Sequence, residues 1–80
     1  MLTIQLFAGA RQLAGMGRVA LELPLGGTVA DLQAALLAQI PALAPILPHA
    51  RWAVNQNYAR LTDIIPANAE VALIPPVSGG

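Results

Sequence analysis

Between Thr28 and Ile40 the apolar residues fall at helical spacing, and on both sides of that stretch they alternate with period two. A chain that carries one amphipathic helix among short alternating strands has few ways to bury both. The helix has to lie across one face of a sheet built from the strands before and after it. Val29, Leu32, Leu36 and Ile40 form the apolar line of the helix, flanked by Ala35 and Leu37. Thr28 is placed to cap the N-terminus, and Asp31 follows three residues later, the spacing of a capping box with Asp in place of Glu. Pro41 ends the helix, because a proline disfavours helical conformation in the residue before it.

The strands read from their alternation. In residues 2–8, Leu2, Ile4 and Leu6 share one face, and Thr3, Gln5 and Phe7 share the other. Phe7 is the anomaly, a large apolar residue on the polar side. Gly9, Gly15 and Gly17 make residues 9–18 a loop, within which Arg11-Gln12-Leu13-Ala14 predicts one helical turn. Val19, Leu21 and Leu23 alternate again up to Pro24, which predicts an antiparallel hairpin with the first strand. After the helix, Pro41, Pro45 and Pro48 mark residues 41–50 as a connector, with room for a short turn of helix. Trp52-Ala53-Val54 predicts a third strand, Asn55-Gln56-Asn57 a turn, and Tyr58-Ala59-Arg60-Leu61 a short return strand. Glu70-Val71-Ala72-Leu73-Ile74 is the last strand, with Ala72 and Ile74 opposite in face to Val71 and Leu73.

The order is β-β-α-β-β-β. A right-handed crossover places the last strand beside the first and parallel to it. The predicted fold is therefore α+β: a ubiquitin-like β-grasp, with a mixed sheet covered by one main helix and a flexible Gly-Gly tail. The 80 residues form one domain, and residues 75–80 are an extended reactive tail.

Composition removes several function classes. There is no cysteine and His49 is the only histidine, which excludes a disulfide, a thiolate metal site, a side-chain persulfide and a histidine cluster. Arg11, Arg18, Arg51 and Arg60 are scattered, the net charge is zero, and no basic cluster exists to hold nucleic acid. No run reaches the roughly 18 apolar residues of a membrane span. The opening Met1-Leu2-Thr3-Ile4-Gln5 lacks the basic start of a signal peptide, so the expected compartment is the cytoplasm. Only 10% of the residues are charged, against roughly 25% in soluble domains. That points either to a permanent partner or to a bias toward Ala, Pro and Gly.

The chemistry lies in Ile74-Pro75-Pro76-Val77-Ser78-Gly79-Gly80. Glycine has no Cβ, so Gly79 and Gly80 can pass through a channel too narrow for side chains. Pro75 and Pro76 favour an extended polyproline segment and reduce the entropy lost when the tail is ordered in another protein. The group so delivered is the terminal carboxylate. It becomes an electrophile once ATP converts it to an acyl adenylate, and a sulfur nucleophile can then displace AMP to leave a thiocarboxylate. In a chain without cysteine, sulfur can be carried at that terminus alone.

Several segments together resemble the family of small, sulfur-carrying subunits of molybdopterin synthase. They are Leu6-Phe7-Ala8 with Arg11-Gln12-Leu13-Ala14-Gly15, Thr28-Val29-Ala30-Asp31-Leu32, Val54-Asn55-Gln56, and the closing run from Glu70 to Gly80. The resemblance spans essentially the whole chain and is most specific at Pro75-Pro76-Val77-Ser78-Gly79-Gly80. It is weakest over residues 41–51, and Gln12 stands where that family usually carries Glu. The resemblance implies that a ubiquitin-activating-like adenylyltransferase uses ATP to adenylate Gly80, and that a sulfurtransferase supplies the sulfur. It implies that the tail, Pro75 to Gly80, enters the large catalytic subunit of the synthase and donates sulfur to cyclic pyranopterin monophosphate. Two carrier turnovers complete the dithiolene, in a heterotetramer with one carrier at each end. The carrier is then not catalytic alone and binds no cofactor or metal.

A docking surface is legible beside the tail. Phe7 and Ile74 both face away from the core by alternation, and they are neighbours if the first and last strands pair. Tyr58 joins them, and in the resemblance its position is also an interface position. An apolar patch with an aromatic anchor fits a partner contact, and the alternative is that Phe7 fills a second minor core beneath the connector. Arg11 and Arg60 are candidates to pair with acidic groups of the partner. His49 reads as a solvated loop residue, and Trp52 as core or rim. The rival readings are a thiamine-type sulfur carrier, a ubiquitin-like protein modifier (the chain has no lysine of its own), and a non-catalytic β-grasp interaction module with an inert tail.

Overall fold

The sheet is built from both ends of the chain. In the computed structural model, which describes residues 2–24 and 26–75, five strands lie in the order β2-β1-β5-β3-β4. They are β1 (Leu2–Leu6), β2 (Arg18–Leu21), β3 (Arg51–Val54), β4 (Asn57–Ala59) and β5 (Glu70–Ile74). β1 and β5 form the parallel pair in the middle, with Ile4 opposite Val71 and Leu6 opposite Leu73. The other three pairings are antiparallel. The right-handed crossover argument thus places the last strand correctly, and the architecture is the predicted β-grasp.

The main helix, α2 (Val29–Gln39), starts where the capping box places it. The Asp31 amide donates to Thr28 Oγ1 at 3.2 Å, and the Thr28 amide donates back to Asp31 Oδ2 at 3.0 Å. Both bonds satisfy amides that have no partner inside the helix. Replacing Thr28 with Ala removes one of them and is expected to cost about 1 kcal/mol of stability, read by chemical denaturation. The apolar line of α2 meets the inner face of the sheet. Val29, Leu32 and Leu36 are completely buried, together with Ile4, Val71 and Leu73. Trp52 closes this core and resolves as core, not rim. Its indole Nε1–H donates to Gln33 Oε1 of α2 at 2.9 Å, which supplies the partner that a buried indole needs.

Four local readings change. The first strand stops at Leu6, and the segment after it is a seven-residue helix, α1 (Ala8–Ala14), where a loop with a single turn was expected. Phe7 is its N-cap, and Gly15 ends it in the left-handed conformation at φ 74°, with its amide donating to the Arg11 carbonyl. The second strand ends at Leu21, so Leu23 lies beyond the strand, half-buried against the core. The return strand is Asn57–Ala59, since Arg60 to Asp63 turn away: the Arg60 amide donates to Asp63 Oδ2 and the Asp63 amide to the Arg60 carbonyl. Finally, the connector joins the core. Two 3₁₀ turns, Pro41–Leu43 and Leu47–His49, bury Leu43 and Leu47.

Candidate functional site

The strands alternate cleanly, so every residue not turned to α2 stands on one outer face. β5 contributes Ala72 and Ile74 there, β3 Arg51 and Ala53, β1 Thr3 and Gln5, and β4 Tyr58. The registers set them in rows. Tyr58 lies opposite Ala53, Ala53 opposite Ala72, and Ala72 opposite Gln5. In the next row toward the tail, Ile74 lies opposite Arg51. Phe7 extends this row. Its backbone is still extended at φ −124° and ψ 155°, so the β1–β5 register, carried one residue past Leu6 and Leu73, sets it beside Ile74. Phe7 and Ile74 are therefore neighbours, as expected if their strands pair.

Exposure decides between the two readings of Phe7. It is 47% exposed, which is inconsistent with a second minor core. Tyr58 is 70% exposed at the other side of the same face. The small side chains of Ala53 and Ala72 leave a shallow floor between them. The Arg51 guanidinium lies 5.6 Å from the Tyr58 ring centroid, a cation–π contact that holds both side chains over the face. Arg51 was not among the residues expected here. Its signal was the alternation of β3, which puts it on the face opposite Trp52.

The two other arginines are less tied to this face. Arg60 is exposed and lines a hollow of about 420 Å³ with Arg51, Tyr58, Trp52 and Gln33. That hollow has no acidic residue in its lining, so it offers positive charge next to Tyr58. Arg11 is exposed on α1, and its side chain lies over Gly17, where an added Cβ would be 3.5 Å from Nε. Pro75 is half-buried directly after β5. Pro76, Val77, Ser78, Gly79 and Gly80, the residues expected to carry the chemistry, lie outside the described residues.

Among the described residues, no three of His, Cys, Asp and Glu come together as metal ligands would. What the sheet offers is a surface: an apolar patch with aromatic anchors, flanked by two arginines, next to the end of the strand from which the tail continues. The sequence match to the ThiS family model runs over residues 4–80, from within β1 to the end of the tail. The chain belongs to the ThiS family.

Within the ThiS family, this chain is 40% identical over 76 residues to the molybdopterin synthase sulfur carrier subunit of Chlamydomonas reinhardtii, covering 92% of each chain. It is 34% identical over 77 residues to the subunit of that name from Arabidopsis thaliana, covering 96% of this chain and 80% of the relative. Among solved structures, SAMP1 from Haloferax volcanii superposes with a TM-score of 0.88 at 32% identity, over 99% of this chain and 98% of that one. Another structure of the same archaeal protein describes it as a small archaeal modifier protein.

Proposed function

We propose that this ThiS-family chain is the sulfur carrier subunit of molybdopterin synthase and serves molybdenum cofactor biosynthesis in the cytoplasm. The observation that carries the reading is the 40% identity to a sulfur carrier subunit over 92% of both chains. The exposed apolar residues next to the strand that leads into the tail support the reading, since such a subunit needs a surface on which to dock. With Gly80 as the terminal residue, its carboxylate attacks ATP on an activating enzyme of the adenylyltransferase type and pyrophosphate leaves. The outer sulfur of a sulfurtransferase persulfide then displaces AMP, and a second thiol cleaves the resulting acyl disulfide to leave a thiocarboxylate on Gly80. The outer face, through Phe7, Ile74 and Tyr58, docks on the large subunit. The two glycines carry the thiocarboxylate to cyclic pyranopterin monophosphate. Once the sulfur is bonded to the pterin, water cleaves the acyl–sulfur bond and returns the carboxylate, and a second loaded carrier completes the dithiolene. Catalytic acid–base groups belong to the large subunit, in a heterotetramer with a carrier at each end.

A second reading, as a protein modifier, is favoured by the likeness to SAMP1. It shares the adenylated intermediate but ends in an isopeptide bond. Intact mass separates the two. Purified from cells that contain its activating system, the chain is expected to show a gain of about 16 Da, sulfur in place of oxygen, which digestion assigns to Gly80 and not to an oxidised Met1 or Met16. Higher-mass adducts on lysines of other proteins, with no thiocarboxylate, would favour the modifier. An unmodified mass after incubation with ATP, activating enzyme and a sulfur source would remove the carrier reading and leave a protein modifier or an interaction module.

A further inference from the structure

The sheet has two edges, β4 and β2. β4 is three residues long, and past it the chain turns away: the Arg60 amide donates to Asp63 Oδ2 at 2.9 Å, and the Arg60 carbonyl accepts from the Asp63 amide. At β2, among the described residues, no turn, loop or side-chain hydrogen bond reaches Arg18, Ala20 or Glu22. All three residues are exposed.

The register shows which backbone groups this edge presents. The Leu6 amide donates to the Gly17 carbonyl at 2.9 Å. Ile4 then pairs with Val19 and Leu2 with Leu21. Hydrogen-bonded and open pairs alternate along an antiparallel ladder. Gly17, Val19 and Leu21 therefore turn their amides and carbonyls toward β1, and Arg18 and Ala20 turn theirs outward; carried one residue past the strand, the same alternation turns Glu22 outward. The same three residues have their side chains on the outer face, since Val19 and Leu21 are buried.

This edge is complementary to itself. Laid antiparallel against a copy and centred on Ala20, it sets Ala20 opposite Ala20, and Arg18 opposite Glu22 twice. All three pairings fall on residues whose backbone groups point outward, so the ladder closes with six hydrogen bonds. The smallest side chain sits at the centre, where the two strands meet on the dyad. Arg18 and Glu22 cannot satisfy each other within one chain, because four residues of extended strand separate them by about 13 Å. Across the dyad they are direct cross-strand neighbours. We propose that β2 is a homodimerisation edge, and that two copies of this chain pair through residues 18–22 into a continuous ten-stranded sheet. The twofold axis stands perpendicular to the sheet, so both outer faces lie on one side. β1 separates the joined edges from β5, which leaves Ile74 and its neighbours uncovered.

Opposite charges at a cross-strand pair stabilise, and like charges destabilise. Arg18→Glu places Glu opposite Glu twice, and Glu22→Arg places Arg opposite Arg twice. Each substitution lies on an exposed side chain, and each variant alone is expected to self-associate roughly tenfold more weakly than the parent chain. Mixed in equal amounts, the two variants regain complementary pairs in a heterodimer. Sedimentation equilibrium of the full chain over micromolar to millimolar concentration reads this directly. The parent is expected to move from 8.3 kDa toward twice that mass, each variant to stay near the monomer, and the mixture to dimerise. Ala20→Pro, which removes the central outward amide at a place where an edge strand tolerates proline, is expected to abolish dimerisation with the fold retained by circular dichroism. A parent chain that stays monomeric to millimolar concentration overturns the proposal. So does a dimer that survives the charge reversals, or a variant mixture that fails to recover. None of these outcomes depends on whether the chain carries sulfur.

Discussion

A chain shortened to end at Gly79 is expected to dock on the large subunit with an affinity within a few-fold of the full chain, and to give no detectable molybdopterin. The reason is reach. One residue of extended chain spans about 3.5 Å, and reacting atoms must be brought to about 3–3.5 Å of each other. Losing Gly80 withdraws the acyl group by a whole such distance, and misplacement by even about 1 Å can cost roughly a hundredfold in rate. Docking is governed by other residues, since Phe7, Tyr58 and Ile74 lie on the sheet and not on the tail. The core is expected to be unaffected as well: among the described residues, the buried ones end at Leu73. The check has two readouts. Calorimetric titration against the large subunit gives the affinity, and product formation from a carrier with a chemically installed thiocarboxylate gives the transfer rate. Normal product from the shortened chain would show that the reacting group is not on Gly80.

The elements that were legible in the sequence are those whose signal is repeated. β1 and β5 each place their inward residues at strict alternation, and α2 carries three buried residues at helical spacing between a capping box and a proline. Each rests on several residues that agree, so no single exception hides it. The parallel β1–β5 pair was legible for a different reason: the handedness of the crossover leaves few alternatives. From that pairing alone the neighbourhood of Phe7 and Ile74 follows.

What was illegible rests on one or two residues. α1 has Gly9 inside it and exposes Leu13, and Ala10 is the only residue it buries. A helix held by one small side chain and a left-handed glycine shows no apolar stripe to read. Leu43 and Leu47 are similar. They enter the core from 3₁₀ turns bounded by prolines, where neither the period of a helix nor that of a strand applies. Arg51 was within reach of the sequence, because β3 alternates and Trp52 is buried. Only the register places it opposite Ile74 and over Tyr58, and that pairing is a tertiary fact.

Replacing Phe7 with Asp is expected to weaken docking on the large subunit by roughly 30-fold, about 2 kcal/mol, without loss of stability. Exposed aromatic residues at the centre of an apolar patch are the usual carriers of binding energy, and a carboxylate there is desolvated without a partner. This substitution isolates docking from folding for a particular reason. Phe7 is the N-cap of α1 and makes no side-chain capping bond there. Aspartate is among the preferred residues at that position and can accept from the free amides of the first turn. The variant therefore keeps or gains helix stability while it loses the apolar contact. Ile74→Asp tests the same face less cleanly, because Ile74 is half-buried in a strand. Tyr58→Ala is expected to cost less than Phe7→Asp, since it removes the anchor and its contact with Arg51 but introduces no buried charge. Thermal melting and calorimetric titration of the three variants check the ordering. If Phe7→Asp binds the large subunit as the parent chain does, the docking face does not include this row, and the hollow beside Arg60 becomes the surface to test.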